Sequence, residues 1–245
     1  MANVAIVTGA SRGIGAAVAR LLGANGYHVC VNYRAGKDAA ERVVADIQQK
    51  GGRALAVAAD VARMDQVRHL FETVDQQLGP VTALVNNAGI HGPRGRVDAL
   101  ALEDLQQVLS VNVVGLIACS QEAVRRMSTR HGGSGGAIVN ISSGAAYIGN
   151  PGNGVQYSVS KGAVNSFTIG LSQEVAGEGI RVNAVSPGLT RTDMPEPEAL
   201  ERGASVIPMG RVADPKEIAE AVLWLLSDKA SFVAGANIRV AGGRP

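Results

Sequence analysis

Aromatic residues and cysteines are scarce in this sequence. Phe, Trp and Tyr make up 3% of the 245 residues, so a buried core has to be built from Ala, Val, Leu and Ile. The two cysteines, Cys30 and Cys119, lie in apolar segments without a CxxC spacing, which excludes a disulfide scaffold and favours a reduced, cytoplasmic environment. The four histidines show no i,i+4 spacing, so we expect no metal site.

Long apolar runs and blocks of like charge are also missing. The first apolar run is too short for a signal peptide, and no later run approaches about 18 uninterrupted apolar residues, so no membrane partner is expected. The net charge is +2, and the basic group Arg125, Arg126 and Arg130 is interpreted as a solvated helix end. We therefore expect no nucleic-acid partner.

Glycine is abundant, with 31 residues that fall largely between short β-branched runs and longer amphipathic segments. Strands are predicted at 4–9, 28–33, 54–60, 81–89, 136–142, 180–186 and 237–242, and helices over 14–22, 38–50, 64–78, 102–129, 154–177 and 215–227. This alternation, without a linker, predicts an α/β fold: one doubly wound Rossmann domain over 1–245, with a seven-stranded parallel sheet and helices on both faces.

The segment TGASRGIG (8–15) joins the first strand to the first helix. Gly9 would allow a tight turn, Gly13 would let the backbone approach a pyrophosphate, and Gly15 would let the helix pack closely on the strand. The helix N-terminus would then offer N–H groups to the phosphates of a dinucleotide. The alternative is that this glycine cluster is only a loop.

The second strand ends in VNYR, without the acidic residue that bonds the ribose 2′-hydroxyl of NAD. Tyr33 stands in place of that acid, Arg34 follows it, and Arg12 lies in the glycine loop. Two guanidinium groups can bind a 2′-phosphate, so we predict that NADP(H) is preferred, with NAD(H) as the second cofactor. Alternatively, Arg34 is a solvated loop residue.

Four further segments complete a pattern: NNAG at 86–89, VNISS at 139–143, YSVSK at 157–161 and PGLTRT at 187–192. Together with the glycine loop, and in this order, they resemble the short-chain dehydrogenase/reductase family over nearly the whole chain. The resemblance implies an oxidoreductase that transfers a hydride between NADP(H) and a carbonyl or alcohol substrate, such as a ketone or a 3-oxoacyl group.

The catalytic residues predicted in this frame are Ser143, Tyr157, Lys161 and Asn112. Tyr157 would be the acid/base, and Lys161, one helical turn on, together with the positively charged oxidised nicotinamide, would stabilise the phenolate form. The resemblance implies that Lys161 also holds the nicotinamide ribose, that Ser143 and not its neighbour Ser142 orients the substrate carbonyl, and that Asn112 holds a proton-relaying water. Asn112 also falls on an apolar helical stripe, so a core amide that bridges elements is the alternative.

The predicted cofactor-binding residues are Gly9, Ser11, Arg12, Gly13, Ile14, Gly15, Asn32, Tyr33, Arg34, Asp60, Val61, Asn87, Ala88, Gly89, Tyr157, Lys161, Pro187, Gly188, Thr190 and Thr192. In the family pattern, Asp60 and Val61 border the adenine, and the segment from Pro187 to Thr192 holds the nicotinamide. Two alternatives stay open: Asp60 as the cap of the following helix, and Asn87 as a tie between strands.

The segment 193–211 corresponds to the family's substrate-covering lid. Residues that could reach the substrate pocket are His91, Pro93, Arg94, Tyr147, Ile148 and Met194. The resemblance also implies a homotetramer, or a homodimer, formed through the helices at 102–129 and 154–177 and the C-terminal strand. Two other functions are weighed against the reductase: a sugar (glucose-type) dehydrogenase, and an NADP(H)-binding regulatory protein without turnover.

Overall fold

A parallel sheet forms the centre of the molecule, whose computed structural model describes residues 3–195 and 197–244. The strands are β1 Val4–Val7, β2 His28–Tyr33, β3 Ala54–Ala58, β4 Ala83–Asn86, β5 Gly136–Ile141, β6 Ile180–Pro187 and β7 Asn237–Val240. Their order is β3-β2-β1-β4-β5-β6-β7, and every neighbouring pair is parallel. This is the doubly wound, seven-stranded sheet that the sequence predicts.

Helices cover both faces of the sheet. In the described part of the chain they are α1 Gly13–Ala24, α2 Lys37–Gln49, α3 Met64–Gln77, α4 Leu102–Leu109, α5 Leu116–Met127, α6 Ala145–Ile148, α7 Val155–Val175, α8 Pro197–Gly203 and α9 Pro215–Leu226. Side chains alternate along β1, so that Ala5 and Val7 pack into the core under α1, α2 and α9, while Val4 and Ile6 pack into the core under α3 and α5. The two cores hold the carboxyl edge of the sheet in place.

The predicted long helix over 102–129 is not one regular α-helix. A π-helical turn, Ser110–Gly115, separates α4 from α5 and contains the buried Asn112. At Gly115 the helix runs so close to Val61 that an added Cβ would lie 2.8 Å from the Val61 Cγ2. Periodicity alone does not distinguish a π-turn from an α-turn, and such turns occur frequently at functional sites.

The run Leu102–Met127 also passes a length-and-composition test for a membrane span, the single helix to do so among the residues the structure describes. However, 56% of its most apolar window is buried inside the molecule, and α5 packs against β4 and α3. Core helices of globular domains pass the same test. The observation is therefore explained by the packing of this helix on the sheet.

Candidate active site

A cleft of about 990 Å³ opens at the carboxyl edge of the sheet. Strand order reverses between β1 and β4, which is the point at which open α/β sheets bind ligands. The cleft is lined by the glycine loop, the end of β2, the loop after β4, Ser143, the start of α7 and the segment 187–192. Of the predicted site residues, all line it except Gly15 and Asn112, which lie behind the lining.

The glycine loop has the backbone conformation that its sequence predicts. Gly9 has a φ of +61°, and a Cβ there would lie 2.9 Å from the Ala88 Cα in the loop after β4. A Cβ on Gly15 would lie 2.6 Å from the Gly9 carbonyl oxygen, so the glycine allows α1 to start close against the loop. A side chain at either position would force the loop or its neighbours to shift.

The residues at this end of the cleft fit a dinucleotide. The N-cap residue of α1, Arg12, makes no side-chain capping hydrogen bond, so the first N–H groups of the helix remain available to phosphate oxygens. The exposed side chains of Arg12 and Arg34 line the same end, and Tyr33 occupies the position of the missing acid. Arg12 has a carboxylate neighbour, Asp193, at 3.7 Å, with both side chains well exposed.

Asn32 shapes the glycine loop. Its Oδ1 accepts a hydrogen bond of 3.2 Å from the Gly9 N–H, and its Nδ2 donates to the carbonyl oxygens of Val57 at 3.3 Å and Ala59 at 3.0 Å. The residue is 1% exposed. The amide thus ties β1, β2 and the end of β3 together, a role that its place at the end of a strand did not reveal.

Asn87 ties neighbouring strands together, the alternative role that its sequence position allows. Its Nδ2 donates to the carbonyl oxygens of Thr8 at 2.9 Å and Gly9 at 3.0 Å. Asp60, in contrast, does not cap α3, because its carboxylate accepts a hydrogen bond from the Ala62 N–H and the N-cap residue of α3 is Arg63. Both residues nevertheless line the cleft.

Ser143 and Tyr157 meet at the other end of the cleft. The hydroxyl of Ser143 hydrogen-bonds the phenol of Tyr157 and accepts a bond of 3.1 Å from the Ala145 N–H. The loop that carries Ser143 is fixed to the end of β6 on either side of it, by Ser142 N–H to Val185 O at 2.8 Å and by Gly144 N–H to Pro187 O at 3.0 Å. The serine is therefore held by the sheet itself.

Ser142 also borders the cleft, but its hydroxyl is bonded to groups of α7. Its hydroxyl lies 2.6 Å from the Asn165 Oδ1 and 3.2 Å from the Lys161 carbonyl oxygen, and the residue is 2% exposed. These contacts attach the end of β5 to α7. Two adjacent serines thus have different environments, and Ser143 is the one that bonds Tyr157.

Lys161 is buried under the tyrosine. Its Nζ donates a hydrogen bond of 2.7 Å to the Ile141 carbonyl oxygen and lies 5.7 Å from the centroid of the Tyr157 ring. Burial lowers the pKa of Lys161 to about 8. Burial also raises the pKa of Tyr157, and the hydrogen bond from Ser143 offsets this only in part. Burial is thus the larger of the two effects on the phenol in the protein alone, and the lowering of its pKa by Lys161 together with an oxidised nicotinamide stays a prediction.

Asn112 connects the π-turn to two neighbours. Its Nδ2 donates to the carbonyl oxygen of Ile90 at 2.8 Å and to the Ser160 Oγ at 2.9 Å, and its Oδ1 accepts from the Ile90 N–H at 2.8 Å. The side chain is therefore a core amide that bridges the loop after β4 and α7. A Cβ on Gly89 would lie 3.3 Å from this Oδ1 and 3.5 Å from the Lys161 Nζ, so the Asn112 amide stands close to the Lys161 amine.

The predicted pocket residues separate into two groups. The cleft is lined by His91, Arg94, Ile148 and Met194, but not by Pro93 or Tyr147. The ring of Tyr147 instead packs against Arg239, whose guanidinium carbon lies 5.5 Å from the ring centroid. Three further polar residues of the lining were not anticipated: Asn150, Asn153 and Arg244. Asn150 had a signal, because it lies in a glycine-rich turn beside the catalytic segments; Arg244 reaches the cleft only because β7 pairs with β6.

Metal ligands do not cluster in the part of the chain that the structure describes: no group of three or more His, Cys, Asp or Glu side chains could hold an ion there. Cys30 and Cys119 are free and buried, and burial raises the pKa of the Cys119 thiol to about 12. Both thiols are therefore unreactive core groups.

Comparisons with known proteins identify the family. Residues 9–244 match the family model described as enoyl-(acyl carrier protein) reductase. The chain is 49% identical to the oxidoreductase YgfF of Escherichia coli, across 98% of this chain and 99% of that protein. It is 41% identical to a 3-oxoacyl-(acyl-carrier-protein) reductase of Synechocystis, across 99% and 96% of the two chains. Glucose 1-dehydrogenase 2 of Bacillus subtilis is 38% identical, across 98% and 94%.

A solved structure agrees with these relatives. A short-chain dehydrogenase of Burkholderia cenocepacia, in complex with NADP, superimposes with a TM-score of 0.92 at 35% identity, across 99% of this chain and 97% of that one. The chain therefore belongs to the short-chain dehydrogenase/reductase family. It is an NAD(P)-binding oxidoreductase that acts on CH–OH or carbonyl groups.

Proposed function

We propose that the protein is an NADPH-dependent carbonyl reductase, with a ketone or 3-oxoacyl compound as its substrate. The observation that carries the proposal is the meeting of Ser143, Tyr157 and Lys161 in the cleft that the glycine loop also lines. Hydride transfer to a carbonyl leaves a negative oxygen that needs a proton donor. The phenol of Tyr157 supplies that donor, because it is hydrogen-bonded to Ser143 and lies one helical turn from the buried amine of Lys161.

Each residue has a defined task in this reaction. The bound nicotinamide supplies the hydride. The Ser143 hydroxyl orients the substrate oxygen, and the Tyr157 phenol gives its proton to that oxygen. Because burial raises the phenol pKa, Tyr157 keeps its proton at neutral pH and is ready to act as an acid. Lys161 would bind the nicotinamide ribose, and Asn112 would fix the loop that carries Gly89 and Ile90 and hold a relay water.

NADP(H) is proposed as the preferred cofactor, with NAD(H) as the second. Two observations support this: the guanidinium groups of Arg12 and Arg34 lie at the end of the cleft where the ribose 2′-phosphate would bind, and no acidic residue stands at the end of β2. The NADP complex of the related Burkholderia enzyme lends further support.

A sugar (glucose-type) dehydrogenase is the second candidate function. It is favoured by the glucose dehydrogenase of Bacillus subtilis, whereas the Synechocystis relative favours 3-oxoacyl reduction. The Synechocystis reductase is the more similar of these two relatives, at 41% identity against 38%. We therefore rank carbonyl reduction first.

We further propose a cytoplasmic homotetramer, or homodimer, in which residues 1–245 form one domain and the segment 193–211 is the substrate lid. The exposed side chains of Val114 on the π-turn and of Val159 and Ile169 on α7 support association through these helices, as does Phe232, exposed before β7. Glu196, within the predicted lid, lies outside the described residues.

The proposal is tested by NADPH consumption against a panel of ketones, aldehydes, quinones and 3-oxoacyl thioesters, with glucose and NADP⁺ as the reverse arm. We expect turnover with at least one carbonyl compound at neutral pH. Turnover of glucose alone would support the sugar dehydrogenase. If NADPH binds tightly and no compound reacts, a regulatory protein is the better description.

A further inference from the structure

His91 lies on the ring of the proposed acid/base. It follows Ile90, whose N–H and carbonyl are both bonded to Asn112, so the backbone that carries it is fixed. The centroids of the His91 and Tyr157 rings are 4.9 Å apart, and the ring planes are inclined by 26°, which is a stacked arrangement. The phenol is thus in contact with a residue outside the motifs that define its chemistry.

Three contacts keep the imidazole in place. Its Nδ1 lies 3.1 Å from the Gly92 carbonyl oxygen, and its Nε2 lies 3.4 Å from the Asn150 Nδ2. At Gly154, just before α7, an added Cβ would lie 2.7 Å from the His91 Cε1, so any other residue there would displace the ring. The imidazole therefore has one orientation, with Gly154 behind it and Tyr157 against its face.

The partners also select the tautomer of His91. An amide nitrogen can only donate, so the Nε2 facing Asn150 accepts; a carbonyl oxygen can only accept, so the Nδ1 carries the proton. The Asn150 amide cannot turn round, because its Oδ1 accepts from the Asn153 Nδ2 at 3.3 Å while its Nδ2 also donates to the Asn153 carbonyl at 3.3 Å. These two contacts fit an imidazole that has its N–H at Nδ1 and its acceptor at Nε2.

Asn150 places its amide against His91 from a backbone conformation that residues other than glycine rarely adopt. Its φ of +50° is the single positive value at a residue other than glycine in the described chain. Asn tolerates the left-handed region better than most residues do, and it also brings the amide that His91 needs. A strained backbone retained beside a catalytic group points to a role for the side chain.

Tyr157 needs such support because of its position. It is the third residue of α7, and its N–H bonds to the carbonyl of Gly154, in the first and least restrained turn of the helix. We infer that His91 is a positioning residue, whose clamped ring holds the phenol of Tyr157 against Ser143. The inference rests on the proposed role of Tyr157 as the acid/base.

The test compares two substitutions at one site. His91→Phe keeps a ring for stacking but loses the contacts to Gly92 and Asn150, whereas His91→Ala loses the ring as well. We expect kcat with the best carbonyl substrate to fall at least tenfold in His91→Ala, with an unchanged Kd for NADPH. In His91→Phe the stacked ring remains but the two contacts that fix its orientation are lost, so kcat should fall by a smaller factor, about threefold. His69→Ala, an exposed histidine on α3, is the matched control and should be fully active.

A second readout does not depend on turnover. The Tyr157 phenol can be titrated by NMR with ¹³Cζ-labelled tyrosine, using Tyr157→Phe to assign its signal. The groups that face the phenol are Lys161 of α7, Ser143 and His91. Because burial raises this pKa, His91→Ala should lower it by admitting water, and His91→Phe should leave it close to wild type.

The outcomes separate the inference from the proposed function. A His91→Ala protein with wild-type kcat and phenol pKa overturns the positioning role. If His91→Phe is as impaired as His91→Ala, the loss of activity does not come from the loss of the ring contact, and the stacking role is overturned. A wild-type protein that reduces no carbonyl compound refutes the proposed function, and the NMR titration then decides alone whether His91 holds the phenol.

Discussion

The two ends of the cleft are built on different principles. At the glycine-loop end, the backbone N–H groups of α1 and the exposed side chains of Arg12 and Arg34 face the ligand site. At the catalytic end, Tyr157 and Lys161 are enclosed by side chains and carbonyl groups from the loops after β4 and β5. The first end presents exposed positive charge, and the second encloses a phenol and an amine away from water.

This difference determines how each end responds to change. An exposed guanidinium can be replaced without disturbing its neighbours, so its loss alters specificity and leaves the fold intact. A buried group with bonded partners cannot be removed without leaving those partners unpaired, so its loss alters stability as well as chemistry. Substitutions at the two ends should therefore separate binding effects from catalytic and folding effects.

The largest effect is expected at the catalytic end, for Tyr157→Phe. Loss of the proton donor should lower kcat by about 10³-fold, within the usual range for a general acid, while the phenyl ring keeps its stack with His91. Steady-state kinetics and an NADPH fluorescence titration measure the two quantities. Residual activity above a tenth of wild type would show that another group donates the proton.

Next in size is Arg34→Asp at the glycine-loop end. A carboxylate would repel the 2′-phosphate and bond a ribose 2′-hydroxyl, so the ratio of kcat/KM for NADPH to that for NADH should fall about 100-fold. Arg42→Asp, an exposed arginine on α2, is the control for a change of net charge. An unchanged ratio in Arg34→Asp would refute the assignment of Arg34 to the phosphate.

Asn112→Ala should destabilise the protein by about 2 to 3 kcal/mol, because it leaves the N–H and carbonyl of Ile90 and the Ser160 hydroxyl without their partner. Urea denaturation measures the change. Asn25→Ala, at an exposed amide after α1, should cost less than about 0.5 kcal/mol. Equal stabilities of the two variants would contradict the bridging role of Asn112.

Lys161→Met tests the cost of burying a charge. Burial lowers the pKa of Lys161 from its ordinary 10.5 to about 8. The folded state therefore carries the full free-energy cost of a buried charged amine below pH 8, and this cost disappears as the pH rises towards 10.5. The inactive variant should be more stable than wild type by about 2 kcal/mol at pH 7, with the gap closing at pH 10. A gap that is constant with pH would show that burial does not depress this pKa.

The smallest effect distinguishes the adjacent serines. Ser142→Ala removes the bond to Asn165 and should cost about 1 kcal/mol of stability with little change in kcat. Ser143→Ala, which removes the bond to Tyr157, should lower kcat by more than tenfold with little loss of stability. If kinetics instead show the larger loss of kcat in Ser142→Ala, and denaturation shows the larger loss of stability in Ser143→Ala, the roles of the two serines are exchanged.

The motifs predicted most of the cleft because their chemistry is local. The turn at Gly9 and the one-turn spacing of Tyr157 and Lys161 can be recognised within a few residues. Three features escaped prediction. The three-strand bonding of Asn32 and the stack of His91 on Tyr157 join residues that are far apart in the sequence. The π-turn around Asn112 is local, but its apolar spacing is the same as that of an α-helix.

The sequence by itself determined the order of strands and helices, the phosphate loop and the segments that carry Ser143, Tyr157 and Lys161. Those features follow from periodicity and from short-range backbone chemistry. Only the tertiary structure decided the surroundings of the proposed proton donor. How much water reaches Tyr157 and Lys161 depends on elements that are far apart in the sequence, and burial by those elements raises the pKa of the phenol and lowers that of the amine.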